Sequence, residues 1–296
     1  MFKGPLTALV TPFKDGALDI DSLRRLVERQ IAGGISGLVA CGTTGEAAAM
    51  SMEEKLLVIR QVSEQTAGRV PVIAGTGSNN TKATIEMTRK AAALKIDGVL
   101  VVTPYYVKPT QAGLIDHFAR VAKVGPPVVA YNVPGRTGVS LTPASVAELA
   151  RLENVVALKE ASGDLKLDAL MIRAQRESGG ELAIFSGDDF TFLPLLALGG
   201  RGCISVVSNV APGRMAEMYS KFESGDLEGA RKIHFDLLPL TEALFLESNP
   251  IPVKAAMAML GECGPEIRPP LAPLSEKHNP RLRGAMQALG LLEKPT

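Results

Sequence analysis

The sequence has no tryptophan, and aromatic residues make up only 4% of it. A surface that stacks nucleobases needs such side chains, so their scarcity argues against a nucleic-acid binder. An excess of one charge is missing too. Lys plus Arg number 32 and Asp plus Glu 31, which leaves no basic footprint for nucleic acid or an anionic membrane. Cysteine is scarce. Cys41, Cys203 and Cys263 are odd in number, widely spaced and set among apolar neighbours. They predict buried reduced thiols rather than a disulfide framework or a zinc site. His117, His234 and His278 stand singly, and no metal centre is expected from them. No uncharged apolar run reaches the ~20 residues of a membrane span. The opening MFKGPLTALVTPF lacks a basic head, a long apolar stretch and a cleavage site, so no signal peptide is expected. These absences predict a cytoplasmic protein in a reducing compartment, without nucleic-acid or membrane partners.

What is present is a composition of ordinary globular type, 46% hydrophobic and 21% charged over 296 residues. Short β-branched runs alternate with longer amphipathic segments. The run 6–11 leads to a helical pattern over 19–32, with Leu23, Leu26, Val27 and Ile31 at helical spacing and Gly33-Gly34 as the stop. Runs at 37–42, 71–77, 98–104, 127–134, 154–162, 182–187 and 202–209 follow. The helical patterns between and after them cover 51–66, 81–94, 110–124, a segment opening at Thr142-Pro143, then 165–177, 188–198 and 212–222. Ser51 with Glu54 forms a capping-box pattern, and Thr142-Pro143 an N-cap and N1 pair. The strands are nearly continuous apolar runs, as in a parallel sheet covered on its faces. Eight such units predict an α/β fold, a closed (β/α)8 TIM barrel, over residues 1–223. Beyond residue 223 only helical patterns remain, at 226–246, 250–261 and 280–292, and 224–296 is expected to form a C-terminal helical domain.

Active sites of such barrels lie at the C-terminal ends of the strands, so the polar residues there carry the chemistry. Lys159 interrupts the apolar run Val155-Val156-Ala157-Leu158 late in a central strand. A lysine inside a parallel strand is either paired or desolvated, and desolvation favours the neutral amine that attacks carbonyl carbon. Pairing with Glu160 is the structural alternative, but neighbouring strand residues point to opposite faces. Tyr131, late on the preceding strand, is placed to meet Lys159 at similar depth and to exchange protons; a plain core tyrosine is the alternative. Thr43 and Thr44, between glycines in GTTGE, present hydroxyls and backbone N–H groups together, a setting for a small carboxylate; an ordinary Gly/Thr turn is the alternative. Arg136, in the Gly-rich loop after Tyr131-Asn132, is a candidate carboxylate clamp; a merely solvated loop arginine is the alternative.

The segments GTTGE, GTG, TPYY, YNVPGRTG, KEASGD, SGDD and NPIPVK occur in this order across the eight units. Taken together they resemble the dihydrodipicolinate synthases, within the pyruvate-dependent class I aldolase family that also includes N-acetylneuraminate lyase. GTTGE and the strand lysine are common to the wider family, whereas the arginine of YNVPGRTG points to the synthase branch. The resemblance spans essentially the whole chain. It implies condensation of pyruvate with L-aspartate 4-semialdehyde to 4-hydroxy-tetrahydrodipicolinate, a step of lysine and diaminopimelate biosynthesis, with no cofactor beyond a covalent Schiff base. By the same resemblance Lys159 forms the imine with pyruvate and Tyr131 shuttles protons. Thr43 and Tyr106 link Tyr131 to solvent, with Tyr106 supplied by a neighbouring subunit. Thr44 holds the pyruvate carboxylate, Arg136 receives that of the second substrate, and Gly187 and Ile204 line the pyruvate site. A homo-oligomer is implied, a tetramer built as a dimer of dimers.

Two other functions fit parts of this pattern. A keto-sugar-acid lyase shares Lys159, Tyr131 and the GTTGE loop but does not need Arg136. A non-catalytic keto-acid sensor on the same fold has no use for a proton relay. The resemblance also implies an effector pocket that binds lysine in regulated relatives. Asn79 and Tyr105 match it, while Met52 and Lys55 stand at its histidine positions and Ala83 at its glutamate position. A vestigial pocket with weak lysine inhibition is expected.

Overall fold

The computed structural model describes residues 2–293. Eight parallel strands close into a barrel in sequence order: β1 (Gly4–Ala8), β2 (Gly37–Ala40), β3 (Val72–Gly75), β4 (Gly98–Val102), β5 (Val128–Asn132), β6 (Val155–Glu160), β7 (Ala183–Ser186) and β8 (Gly202–Ser205). Closure is by β1, which hydrogen-bonds to both β8 and β2. Each strand is followed by a helix: α1 (Ile20–Ala32), α2 (Met52–Thr66), α3 (Thr81–Ala92), α4 (Gln111–Ala122), α5 (Pro143–Leu149), α6 (Leu165–Glu177), α7 (Phe192–Leu198) and α8 (Pro212–Glu223). Three more helices, α9 (Leu227–Ala243), α10 (Ile251–Met259) and α11 (Asn279–Ala288), complete the chain. The expected TIM barrel is therefore present. The outermost residues of the two expected segments, 1 and 294–296, lie outside the described residues. No helix among the described residues is long and apolar enough to cross a membrane.

The helix starts follow their local chemistry. Ser51 and Glu54 form the full reciprocal capping box at α2, which satisfies two otherwise orphaned N–H groups. Thr142 accepts from the Ser145 N–H ahead of Pro143. Period-2 alternation sorts the strand side chains into two apolar layers. One lies inside the barrel and includes Leu6, Val39, Ile73, Val129, Ala157 and Ile204. The other lies between strands and helices and includes Phe118, Leu158 and Met171. Removing a fully buried ring such as Phe118 costs about 3–5 kcal/mol, because transfer and cavity terms add.

Several local features differ from the sequence expectation. A two-stranded ribbon, Phe13–Lys14 with Ala17–Leu18, stands between β1 and α1, and β1 stops at Ala8 rather than at residue 11. Residues Pro134–Thr137 form one helical turn. The last strand does not run to residue 209. It ends at Ser205 because the Asp189 carboxylate takes the Val206 and Val207 N–H groups at 2.9 and 3.2 Å, and Val207–Asn209 turn as a 3-10 helix.

Candidate active site

Strands β5 and β6 pair in register Tyr131 to Lys159 and Asn132 to Glu160. Lys159 shares the inward face with Ala157, and Tyr131 with Val129. The lysine is 6% exposed, and its Nζ lies 4.3 Å from the centre of the Tyr131 ring. Glu160 faces the other way and is spent there. It accepts from Asn132 Nδ2 and from the Ser162 N–H, each at 2.6 Å. Burial pushes its carboxyl above the usual range, and those hydrogen bonds oppose the rise. No Lys159–Glu160 ion pair forms, which removes the structural alternative for the lysine. Gly187 is required here for space. A Cβ at that position comes within 2.7 Å of Ala161 Cβ and 2.9 Å of Lys159 Cε, so any side chain displaces the lysine stem. Ile204 is 1% exposed in the inner layer.

A cavity of about 390 Å³ opens beside this pair, with Thr43, Tyr105, Tyr131, Arg136 and Asn249 on its wall. Lys159, Thr44, Gly187 and Ile204 are not on that wall; Lys159 adjoins it through the Tyr131 ring. Thr44 is 2% exposed, and its Oγ1 accepts from Asn249 Nδ2 at 3.0 Å. Among the described residues neither the Thr43 nor the Thr44 N–H has a protein acceptor. Arg136 Nη2 donates to the Asn249 carbonyl at 3.0 Å. Tyr106 stands apart, with 87% of its surface exposed and a left-handed backbone, φ +72°. Asn79 is half-buried and off the cavity wall, whereas Tyr105 and Lys55 are on it.

The sequence pattern assigned no role to three further features. Lys254, on α10, makes a 2.6 Å ion pair with Glu46, both side chains 1% exposed, and also donates to the Thr11 carbonyl at 2.6 Å. Burial pulls the Lys254 ammonium below its usual range, and the Glu46 charge opposes this. Glu46 has φ +55°, a conformation that costs a non-glycine residue on the order of 1 kcal/mol or more, and the pair holds it there. Asn249 bridges Thr44 and Arg136. Asp189 ties the end of β8, accepting from Ser205 Oγ at 2.5 Å, and burial pushes its carboxyl up to about 6. The motifs GTTGE, NPIPVK and SGDD contain all of these residues, and a lysine in the apolar run 250–258 was the available signal. The three cysteines are free and buried. Desolvation pushes the Cys41 thiol up to about 12 and Cys263 up to about 11, so both are poor nucleophiles.

The sequence profile of the Dihydrodipicolinate synthetase family matches residues 1–289. A 4-hydroxy-tetrahydrodipicolinate synthase from Geotalea uraniireducens is 50% identical over 293 residues, covering 99% of this chain and 100% of that protein. The solved dihydrodipicolinate synthase of Thermotoga maritima superposes with a TM-score of 0.97 at 44% identity, over 99% of this chain and 100% of that one. The chloride-inhibited dihydrodipicolinate synthase of Acinetobacter baumannii, complexed with pyruvate, superposes with a TM-score of 0.95 at 42% identity, over 99% and 100% of the two chains. The family profile, the relatives and the solved structures all match over nearly the whole length: this chain belongs to the dihydrodipicolinate synthetase family.

Proposed function

We propose that the chain condenses pyruvate with L-aspartate 4-semialdehyde to 4-hydroxy-tetrahydrodipicolinate, through a Schiff base on Lys159. The carrying observation is the buried Lys159 amine over the Tyr131 ring, with no ion-pair partner among the described residues. The neutral amine adds to the ketone, and loss of water gives an iminium. Its nitrogen draws electrons, so the methyl group gives up a proton and becomes an enamine. The enamine carbon bonds to the aldehyde carbon, and the aldehyde oxygen takes a proton. The amino group of the second substrate then displaces Lys159 from the iminium and closes the ring, releasing the free lysine. Overall, one water leaves. The iminium is the electron sink, so the chemistry calls for no metal.

Tyr131 moves the protons, with Thr43 and a neighbour's Tyr106 joining it to solvent. The exposure of Tyr106 beside the exposed Tyr105 and Val107 supports contact with a second copy, and a homotetramer built as a dimer of dimers is our assignment. Thr44 takes the keto-acid carboxylate through its N–H and O–H, supported by the absence of a protein acceptor for that N–H. Arg136, exposed at the cavity and held at one nitrogen, takes the carboxylate of the second substrate, while Gly187 and Ile204 shape the pyruvate end. Residues 1–223 serve as the catalytic barrel and 224–296 as a C-terminal helical domain. A cytoplasmic location is supported by three free, buried cysteines.

The test is borohydride reduction with pyruvate and mass mapping. Attachment at Lys159 and at no other lysine is expected, together with loss of nearly all turnover in Lys159→Arg, whose guanidinium stays charged. Attachment elsewhere, or none, defeats the mechanism. Arg136→Ala separates the synthase from a sugar-acid lyase: it should raise the KM for aspartate semialdehyde more than that for pyruvate.

A further inference from the structure

Thr44 has one proton to give and two lone pairs to receive. Asn249 Nδ2 fills one lone pair at 3.0 Å. Because that contact makes Thr44 Oγ1 the acceptor, the hydroxyl proton stays free, and among the described residues no protein group takes it. Beside it the Thr44 N–H is also unspent. Two donors of one residue are thus left available to a carboxylate.

Asn249 is itself held firmly. It is 7% exposed and directly precedes Pro250 and α10, whose Lys254 is clamped to Glu46 two residues beyond Thr44. Its two polar ends do different work. The side chain meets Thr44, whereas the main-chain carbonyl receives Arg136. One residue thus touches both groups assigned to substrate carboxylates, by atoms that mutation can separate.

We propose that Asn249 is a positioning residue for keto-acid binding: its amide donates to Thr44 Oγ1 and so directs the Thr44 hydroxyl proton to the carboxylate of pyruvate. This rests on the Schiff-base function proposed above. Asn249→Ala removes the donor, and the hydroxyl proton is then free to turn away. Asn249→Asp keeps the shape but reverses the polarity, since an ionised carboxylate only accepts and captures the Thr44 proton.

The experiment is a pyruvate titration of borohydride trapping at Lys159, run beside steady-state kinetics and thermal unfolding. Wild-type protein that fails to trap pyruvate at all defeats the underlying function. With trapping intact, Asn249→Ala is expected to raise half-saturating pyruvate about tenfold, equivalent to ~1.4 kcal/mol. The KM for aspartate semialdehyde should change less than about twofold, because the Arg136 contact is to the main chain. In a Thr44→Val background, which lacks the hydroxyl, Asn249→Ala should add less than about twofold. Equal factors in the two backgrounds, or equal effects on both substrates, overturn the proposal. Should the alanine variant not fold, Asn249→Asp carries the same measurement. A larger rise for pyruvate than for the second substrate supports the role, and unchanged half-saturation refutes it.

Discussion

Lys159 and Tyr131 are register partners across the β5–β6 pair, and the lysine nitrogen sits 4.3 Å from the centre of the tyrosine ring. The ring shields one side of the amine from water, and the phenol stands on the cavity wall. Packing thus falls to the ring, and the proton transfer proposed for Tyr131 to its oxygen. Tyr131→Phe keeps the ring and deletes the oxygen. Turnover should fall by about 10²–10⁴, the usual worth of a positioned proton-transfer group, with the thermal midpoint unchanged. Pyruvate should still be trapped on Lys159, but more slowly. A turnover within a few-fold of the parent sinks the role.

Tyr106 contributes nothing to the cavity of its own chain, at 87% exposure. If it completes a neighbour's site, two dead variants should rescue each other. Mixing Lys159→Ala with Tyr106→Phe, after dissociation and reassembly, places an intact lysine opposite an intact tyrosine in some of the sites. Activity should then rise to a fraction of the parent's. Verified mixed oligomers with no recovery rule out a shared site.

Free lysine should inhibit weakly. The residues that the resemblance assigns to an effector pocket include Lys55 and Tyr105, on the cavity wall, half-buried Asn79, and Met52, whose Sδ receives Lys90 Nζ at 3.0 Å. Ala83 offers no carboxylate to the effector's ammonium, and Lys55 adds a like charge. A penalty of about 2.8 kcal/mol weakens binding roughly a hundredfold. Initial rates titrated with lysine check this, and half-inhibition below a millimolar contradicts it.

What sequence alone can disclose depends here on how far apart the interacting residues lie. Lys159 is conspicuous because a cation breaks an apolar strand, and the strand period then puts Glu160 on the other face. The starts of α2 and α5 are equally local, resting on Ser51 with Glu54 and on Thr142-Pro143. The ribbon at Phe13–Lys14 has two-residue strands, too short to reveal a period. The end of β8 is set by Asp189, 16 or more residues upstream. The Asn249–Thr44 contact spans 205 positions and Lys254–Glu46 spans 208. Nothing within a helix or strand window encodes such pairings, so their motifs were visible while their partners were not.

The Lys254–Glu46 pair gives a stability test. Lys254→Met leaves a buried carboxylate without its cation, which typically costs about 3–5 kcal/mol. Glu46 keeps the Arg268 N–H at 2.9 Å, which places the cost near the lower end. The double variant Lys254→Met/Glu46→Gln should recover part of the loss, because no unpaired charge remains. Denaturant unfolding of the four proteins, at one protein concentration, measures the coupling. Additive losses would show that the two side chains do not act as a pair.

Asp168 sets the sign of one pH effect. It lies on α6 at 3% exposure, and its buried Oδ1 has no hydrogen-bond partner among the described residues. Burial first, then the charges of Glu160, Asp164 and Asp188, push its carboxyl up to about 7 from 3.8. Between those values the native state holds a proton that the unfolded chain has released. This contribution therefore makes stability fall as pH rises through the window, by up to about 1.4 kcal/mol per pH unit. Asp168→Asn cannot ionise and escapes the penalty. The variant should gain stability over the parent at pH 8, and the gain should exceed that at pH 5 by about 2–3 kcal/mol. Denaturant unfolding at both pH values, with protein concentration held constant, gives the comparison. A gain that does not grow between pH 5 and pH 8 would mean that Asp168 ionises in the folded protein as easily as in the unfolded chain.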